Sequence, residues 1–240
     1  MKDRLPTNEK GKIMKMKKIL VTTAAFFASL GLIACSSSET AQTPLEKIKE
    51  KGTLVVATSP DYAPFEFQTL VDGENKVVGS DIMLAQKIAD ELGVELETPS
   101  MNFDNVLNSV QNGKADLAIA GLSVSPERLE VFDFSDPYYQ VGNVLLVQKA
   151  DAEKIATVAD LDQLDLAVQK GTTQETYARE SLSNANIISL TLMGEAVNEL
   201  KNGKVKAILL DSAVAEGYIS QNPALAIAAL GSFFAGCVAT

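Results

Sequence analysis

The chain has 240 residues, 46% of them hydrophobic, with 21 Lys and Arg against 31 Asp and Glu, a net charge of −10, two cysteines and no histidine. That length can bury one large core or two modest ones, and the acidic balance, with no Lys/Arg-rich run outside the N-terminal segment, excludes a nucleic-acid partner. Two cysteines make no disulfide framework, and the lack of histidine removes the commonest general base together with the commonest metal ligand, so no catalytic residue, metal or cofactor is expected.

At the N-terminus, Lys15, Lys17 and Lys18 precede an uncharged run from Ile19 to Ala34 that ends in Leu32-Ile33-Ala34-Cys35. This reads as a signal peptide over residues 1–34, too short for a spanning helix of about twenty residues and followed by Ser36-Ser37-Ser38 instead of a basic stop-transfer flank. Met14 opens a more typical leader than Met1 does. The order Leu-x-Ala-Cys resembles the lipobox of bacterial lipoproteins, in which Cys35 would carry the lipid and anchor the protein to the membrane; an ordinary secretory signal with an incidental cysteine is the alternative. Without residues 1–34 the chain keeps 14 basic and 29 acidic side chains. Residues 35–44 form a polar tether.

A helix from Leu45 to Lys51 stops at Gly52, and Leu54–Thr58 reads as a buried strand ending in the turn Ser59-Pro60-Asp61. Tyr62 to Phe67 should be extended, held open by Pro64. From Asp81 to Leu92 the residues Ile82, Ala85, Ile88, Ala89 and Leu92 recur at helical spacing, with Ser80 as N-cap and Gly93 as stop. A further helix shows Phe103, Val106, Leu107 and Val110 before Gly113, and Asp116–Ala120 reads as the strand after it. Asp165–Gln169 is another strand, breaking into Gly171–Thr176 and a helix through Leu182. Alternating helix and strand argue for α/β layers with mostly parallel strands. The run VQNGKADLAIAGLS at 110–123 is echoed by LKNGKVKAILLDS at 200–212, which implies two related lobes, unless Asn-Gly-Lys is merely a common helix-to-strand turn. After Glu216 come 24 residues without a charge. Their tail, GSFFAGCVAT, has neither helical nor strand period and reads as a truncated or frame-shifted end, while Pro223 and the missing basic flank speak against a membrane segment.

Three features could carry binding chemistry. Arg128 follows the loop Gly121–Ser125, and its planar fork can meet both oxygens of a small carboxylate with the Ser123 and Ser125 hydroxyls as further donors; a plain surface arginine is the alternative. The turn at Gly171-Thr172-Thr173 opens a helix and could dock an anion on its N–H groups, or Thr172 could be a simple N-cap. Asp211 and Ser212 stand at a strand's C-terminal end, as Gly121 and Ser123 do, where ligands of open α/β sheets bind.

The segments TSPDYAPFEF, VVGSDIMLAQKIADELGV, NVLNSVQNGKADLAIAGLSVSPER, FDFSDPYY and QKGTTQETYA occur in that order. Together they resemble the polar amino-acid family of solute-binding proteins of ABC importers, bacterial extracellular solute-binding proteins of family 3, from about Leu45 to Ala229. The resemblance implies a two-lobed α/β clam of the type II periplasmic-binding-protein kind, with lobe 1 at 45–141, lobe 2 at 142–228 and a return to lobe 1 over 229–240. The crossings would fall near Gln140–Asn143 and Ala226–Leu230. It further implies that Arg128 grips an α-carboxylate with backbone N–H groups at Ser123 and Thr173, and that Asp211 pairs with the α-ammonium beside the Gly121 carbonyl and Ser123 hydroxyl. Tyr62 and Phe103 would sandwich the ligand side chain. A packing role is the alternative for each ring, and helix capping the alternative for Asp211.

The implied partners are a polar amino acid and the transmembrane permease subunits, with a monomeric protein lipid-anchored through Cys35 outside the cell membrane. Ser59, Asp61 and Glu66 near the side-chain pocket lean towards a basic or amide side chain. Ser80 and Met83 depart from the family pattern, which has an aromatic and an acidic residue there. Family members also continue with a strand and helix that complete the first lobe, so a weakly stable first lobe is expected. A ligand-sensing module, or a secreted dehydratase using Asp61 or Glu66 as its acid or base, are the competing readings.

Overall fold

The computed structural model describes residues 42–233 and 235–240; the signal segment, Cys35 and the tether up to residue 41 lie outside the described residues. Helix α1 (Pro44–Lys51) starts on a capping box between Thr43 and Glu46 and ends at Gly52 with φ 74°, as its sequence signals suggest. It leads into β1 (Thr53–Ala57), the centre of a three-stranded parallel sheet between β5 (Glu95–Glu97) and β6 (Leu117–Ala118). Helix α2 (Ser80–Leu92) lays Ala85, Ile88, Ala89 and Leu92 on Leu54, Val56 and Ile119. Helix α3 (Phe103–Gln111) covers a second cluster with Val106, Leu107 and Val110 packed around Ala57, Ala118 and Leu122.

Two expectations fail here for one reason. Residues 62–67 are not extended: β2 (Asp61–Tyr62) and β3 (Glu66–Val71) pair antiparallel, Tyr62 opposite Glu66, and Phe65 N–H closes the turn on Tyr62 O at 3.0 Å. Folding back buries both Tyr62 and Phe65, whose rings stack at 6.2 Å. The same turn then supplies the start of α2, because Ser80 N–H donates to Pro64 O at 3.1 Å and Asp81 N–H to Phe65 O at 2.9 Å. The N-cap is therefore Gly79, not Ser80, and no side chain caps the helix. Gly79 has φ 134°, and a Cβ there would lie 2.1 Å from Phe65 O, so only glycine lets the two segments meet. Strand β4 (Glu74–Val78) completes this hairpin wing beyond an Asp72-Gly73 turn, both residues at positive φ.

The second sheet runs β11-β7-β10-β8-β9, with β7 (Tyr139–Gln148), β8 (Asp165–Gln169), β9 (Asn186–Leu190), β10 (Ala207–Asp211) and β11 (Leu225–Ile227). Strands β10, β8 and β9 are parallel, and β7 is antiparallel to β10 and β11. Both faces are covered, so alternate residues of one strand enter different cores: Leu145 and Val147 join Leu166, Val168 and Leu209, whereas Val144 and Leu146 join Ala167, Ile208 and Leu210. Helices α5 (Thr173–Ser181), α6 (Met193–Lys201) and α7 (Ser212–Gln221) flank it, after the short α4 (Pro126–Leu129) that follows the first sheet.

The internal echo holds at the helix ends. Gly113 and Gly203 both take positive φ after α3 and α6, and Lys114 N–H and Lys204 N–H return to Ser109 O and Glu199 O at 2.8 and 3.0 Å. The strands that follow differ: β10 is central with five residues, whereas β6 has two at a sheet edge, shorter than Asp116–Ala120.

The tail, which has no strand period in the sequence, nevertheless forms a regular element. Residues 235–238 form β12 (Ala235–Val238), antiparallel to the first half of β7 from Gly142 to Tyr139, while the second half of β7 pairs with β10 and β11. Val238 bridges Ser123, and Ala239 N–H donates to Leu122 O at 3.0 Å. Pairing on both sides, with Gly236 close enough that a Cβ would lie 3.3 Å from Ser123 Oγ, makes this strand where the residue pattern has no period. Among the described residues no helix is long and apolar enough to cross a membrane.

Candidate functional site

Arg128 sits on the four-residue α4, whose start is capped by Ser125 Oγ accepting from Arg128 N–H at 3.3 Å. Its side chain is only 9% exposed. Nη1 donates to Ser123 O at 2.7 Å, and Nη2 crosses to Gly171 O, after β8, at 3.1 Å. The Phe103 ring centre lies 5.8 Å from the guanidinium carbon. These partners are neutral, and burial pulls the guanidinium below its ordinary value against the weaker pull of Glu127. A buried cation held by carbonyls and a ring keeps an unmet demand for an anion.

The turn that takes Arg128 Nη2 is the start of α5. Gly171, at φ 81°, gives its N–H to Glu175 Oε2 at 2.8 Å. Thr172 is the N-cap: its hydroxyl accepts from Glu175 N–H at 3.1 Å and donates to Gln169 O at 2.7 Å. Both groups are thus committed within the turn, which narrows the expected anion dock to the first helical residues. Thr173 opens the helix, where a backbone N–H has no intrahelical partner.

The next residue, Gln174, connects this turn to Asp211. Its Nε2 donates to Asp211 Oδ1 at 3.1 Å and to Asn143 Oδ1 at 2.7 Å. Asp211 ends β10 and occupies the N-cap position of α7, yet its side chain makes no cap bond. Instead Oδ2 accepts from the Tyr62 hydroxyl at 2.8 Å. The carboxylate is 1% exposed. Burial pushes it up to about 6, with the Tyr62 and Gln174 hydrogen bonds opposing. The Tyr62 phenol is pushed up as well, first by burial and then by Asp211.

The two rings expected to act as a pair take different partners: Tyr62 goes to Asp211 and Phe103 to Arg128. Gly121, at φ 56°, lies under the Tyr62 ring, where a Cβ would approach Cδ1 to 3.2 Å. Buried Ser123 joins the sides, its carbonyl on Arg128 and its hydroxyl beside Gly236. Asp61 reaches the second-sheet side, accepting from Met193 N–H at 2.7 Å, from Gln169 Nε2 at 3.3 Å and from Ser59 Oγ at 3.3 Å. Burial raises Asp61 above the usual carboxylate range. Glu66, expected near the side-chain pocket, is fully buried behind Tyr62, against Asp81.

Residue-by-residue reading missed Gln174, Asn143 and Gln169. Asn143 carried a legible signal, a polar residue inside the apolar run of a strand, buried with 0% exposure. Gln174 carried none, since a glutamine in a first helical turn is unremarkable until Asp211 is placed beside it.

A buried cation and a buried anion, both with neutral partners, meet one helical turn between two α/β sheets, an arrangement that defines a solute-binding protein of the type II clam class. The chain belongs to the bacterial extracellular solute-binding proteins, family 3, whose model matches residues 54–213. A probable histidine-binding protein of Campylobacter jejuni is 34% identical over 210 residues, 88% of this chain and 80% of that one. The crystal structure of an amino acid ABC transporter substrate-binding protein, AbpA, from Streptococcus pneumoniae bound to L-arginine is 52% identical with a TM-score of 0.79, covering 81% of this chain and 82% of that chain. A cyclohexadienyl dehydratase of Pseudomonas aeruginosa is 29% identical over 187 residues, 77% of this chain and 69% of its own.

Proposed function

We propose that this protein captures a free amino acid with a cationic side chain, arginine foremost, and presents it to the permease of an ABC importer. The observation that carries this reading is the placement of two buried, oppositely charged groups at one turn of α5: Arg128 bonded to Gly171 and Asp211 bonded to Gln174. A zwitterion taken out of water needs both charges matched, and these groups need the same.

In this reading Arg128 holds the α-carboxylate with the N–H groups at Ser123 and Thr173. Asp211 takes the α-ammonium with the Gly121 carbonyl and the Ser123 hydroxyl, while Tyr62 and Phe103 flank the ligand and Thr172 fixes the turn. Asp61 and Gln169 offer acceptors to a cationic side chain, in keeping with the arginine carried by the Streptococcus pneumoniae relative. The two sheets act as lobes over residues 45–141 and 142–228, hinged where β7 and the segment 229–240 pass between them. Cys35 anchors the monomer by lipid outside the membrane.

Catalysis is not part of the proposal, despite the dehydratase among the relatives. Asp61 is held as a hydrogen-bond acceptor by Met193 N–H and Gln169 Nε2, the role it keeps towards a cationic side chain, and Glu66 is sealed from solvent, so neither is placed to pass a proton to or from a substrate. Calorimetric titration with the individual amino acids tests the reading. Saturable one-to-one binding of L-arginine and no turnover of cyclic keto-acids are expected; turnover without amino-acid binding would overturn it.

A further inference from the structure

Glu66 is a buried acid with no part in the site just described. It faces Tyr62 across the β2–β3 pair, has 0% exposure, and neither carboxyl oxygen makes a hydrogen bond of ordinary geometry. The groups around it are Asp81 from α2, Asp61 from β2, Asp211 from β10, and the phenols of Tyr62 and Tyr138. No cation figures among them. Ionised Glu66 would be a third buried negative charge, with Asp61 a fourth close by, and without a counter-charge.

Its neighbour Asp81 is placed quite differently. Asp81 Oδ2 accepts from Gly121 N–H at 2.8 Å and from the Tyr138 hydroxyl at 2.9 Å, and Ser80 Oγ lies 3.4 Å from Oδ1. Three donors on Asp81 and none on Glu66 mark which member of the pair carries the charge and which the proton.

We propose that Glu66 is a protonated positioning residue: as a neutral acid beside Asp81 it lets the Asp81 carboxylate hold the Gly121 peptide and the Tyr138 hydroxyl in place. Gly121 lies under Tyr62, and two residues further on the Ser123 carbonyl holds Arg128. Tyr138 directly precedes β7, whose first half pairs with β12 and second half with β10 and β11. Loss of the Glu66 proton would set two carboxylates against each other and pull Asp81 off both donors. Burial first, then the Asp81 charge, holds Glu66 well above the usual carboxylate range. A folded-state value raised above the unfolded one of about 4.3 means that this stabilisation is complete below that pH and is lost as pH rises through the folded value. Asp61, Asp81 and Asp211 are also shifted upward, so the comparison must be with Glu66→Gln, which keeps the shape and a donor towards Asp81 but cannot ionise.

Infrared spectroscopy of the purified protein tests the assignment directly. At neutral pH the wild type should show the carbonyl stretch of a protonated carboxylic acid that disappears in Glu66→Gln and disappears from the wild type as pH is raised. The melting temperature of Glu66→Gln should match the wild type to within about 2 °C near pH 4, and should exceed it increasingly as pH rises to neutral and on towards the folded value of Glu66. For function the inference rests on the amino-acid-binding reading: the ratio of wild-type to Glu66→Gln affinity for L-arginine should stay near unity at neutral pH. It should drop about tenfold per pH unit once Glu66 ionises, whatever the titration of the ligand itself. Absence of the acid band from the neutral wild type, or its survival in Glu66→Gln, would overturn the proposal. If Glu66→Gln does not fold, titration of the wild-type band still decides. Band present and arginine binding absent would uphold the Glu66 proton and refute the ligand reading.

Discussion

At the scale of single residues, the site is a problem of matching buried charge. Arg128 was singled out in the sequence because it follows the Gly121–Ser125 loop, and Asp211 because it stands with Ser212 at a strand's C-terminal end, but what surrounds them was not legible. The guanidinium rests on Phe103 and two carbonyls, and the carboxylate on Tyr62 and Gln174. Arg128→Ala should weaken L-arginine binding at least about thirtyfold in calorimetry, while the far-ultraviolet circular dichroism stays that of the wild type, since truncating one member of a buried charged contact costs about 2–5 kcal/mol. Asp211 gives two pH effects of opposite sign. Its carboxyl is raised to about 6, so arginine affinity should fall about tenfold per pH unit below that value as the ammonium's partner is protonated. In the free protein the same raised value means stability from this group is greatest in acid and is lost as pH rises through about 6, which thermal melts of wild type and Asp211→Asn will separate.

Among the elements, helical periodicity placed α2 and α3 with their apolar faces, because a 3.6-residue repeat of buried positions is written in the chain itself. Starts and strands written by neighbours were less legible. Ser80 looks like a cap and is not one, since Pro64 O and Phe65 O from a distant turn already take the first helix donors. β12 has no pattern because its place comes from β7 on one side and Ser123 on the other. Asp211, too, resembles an N-cap from its position and is diverted by Tyr62 and Gln174 across the sheet. Gly79 makes the Pro64–α2 junction testable. Gly79→Ala places a methyl 2.1 Å from Phe65 O at φ 134°, and should lower the melting temperature by several degrees, a cost of about 2 kcal/mol or more, with arginine affinity falling through the displaced Asp81.

For the molecule as a whole, the two sheets touch through contacts of unequal worth. Lys170 and Asp104 pair across them at 2.9 Å, with the lysine side chain 58% exposed. Lys170→Ala should therefore change arginine affinity by less than about fivefold, because exposed ion pairs contribute at most about 1 kcal/mol. Tyr62 with Asp211, Asp61 with Met193 N–H, and Arg128 with Gly171 O are buried or nearly so, and these should govern closure. Small-angle X-ray scattering should then show a smaller radius of gyration when L-arginine is added, and no change in Arg128→Ala. The most direct test of the clamp is calorimetric comparison of L-arginine with agmatine, which keeps the guanidinium side chain and lacks the carboxylate. The wild type should bind L-arginine at least a hundredfold more tightly than agmatine, and Arg128→Ala should bind both equally weakly. Agmatine binding to the wild type as tightly as L-arginine would show that Arg128 holds no carboxylate, and would contradict the site.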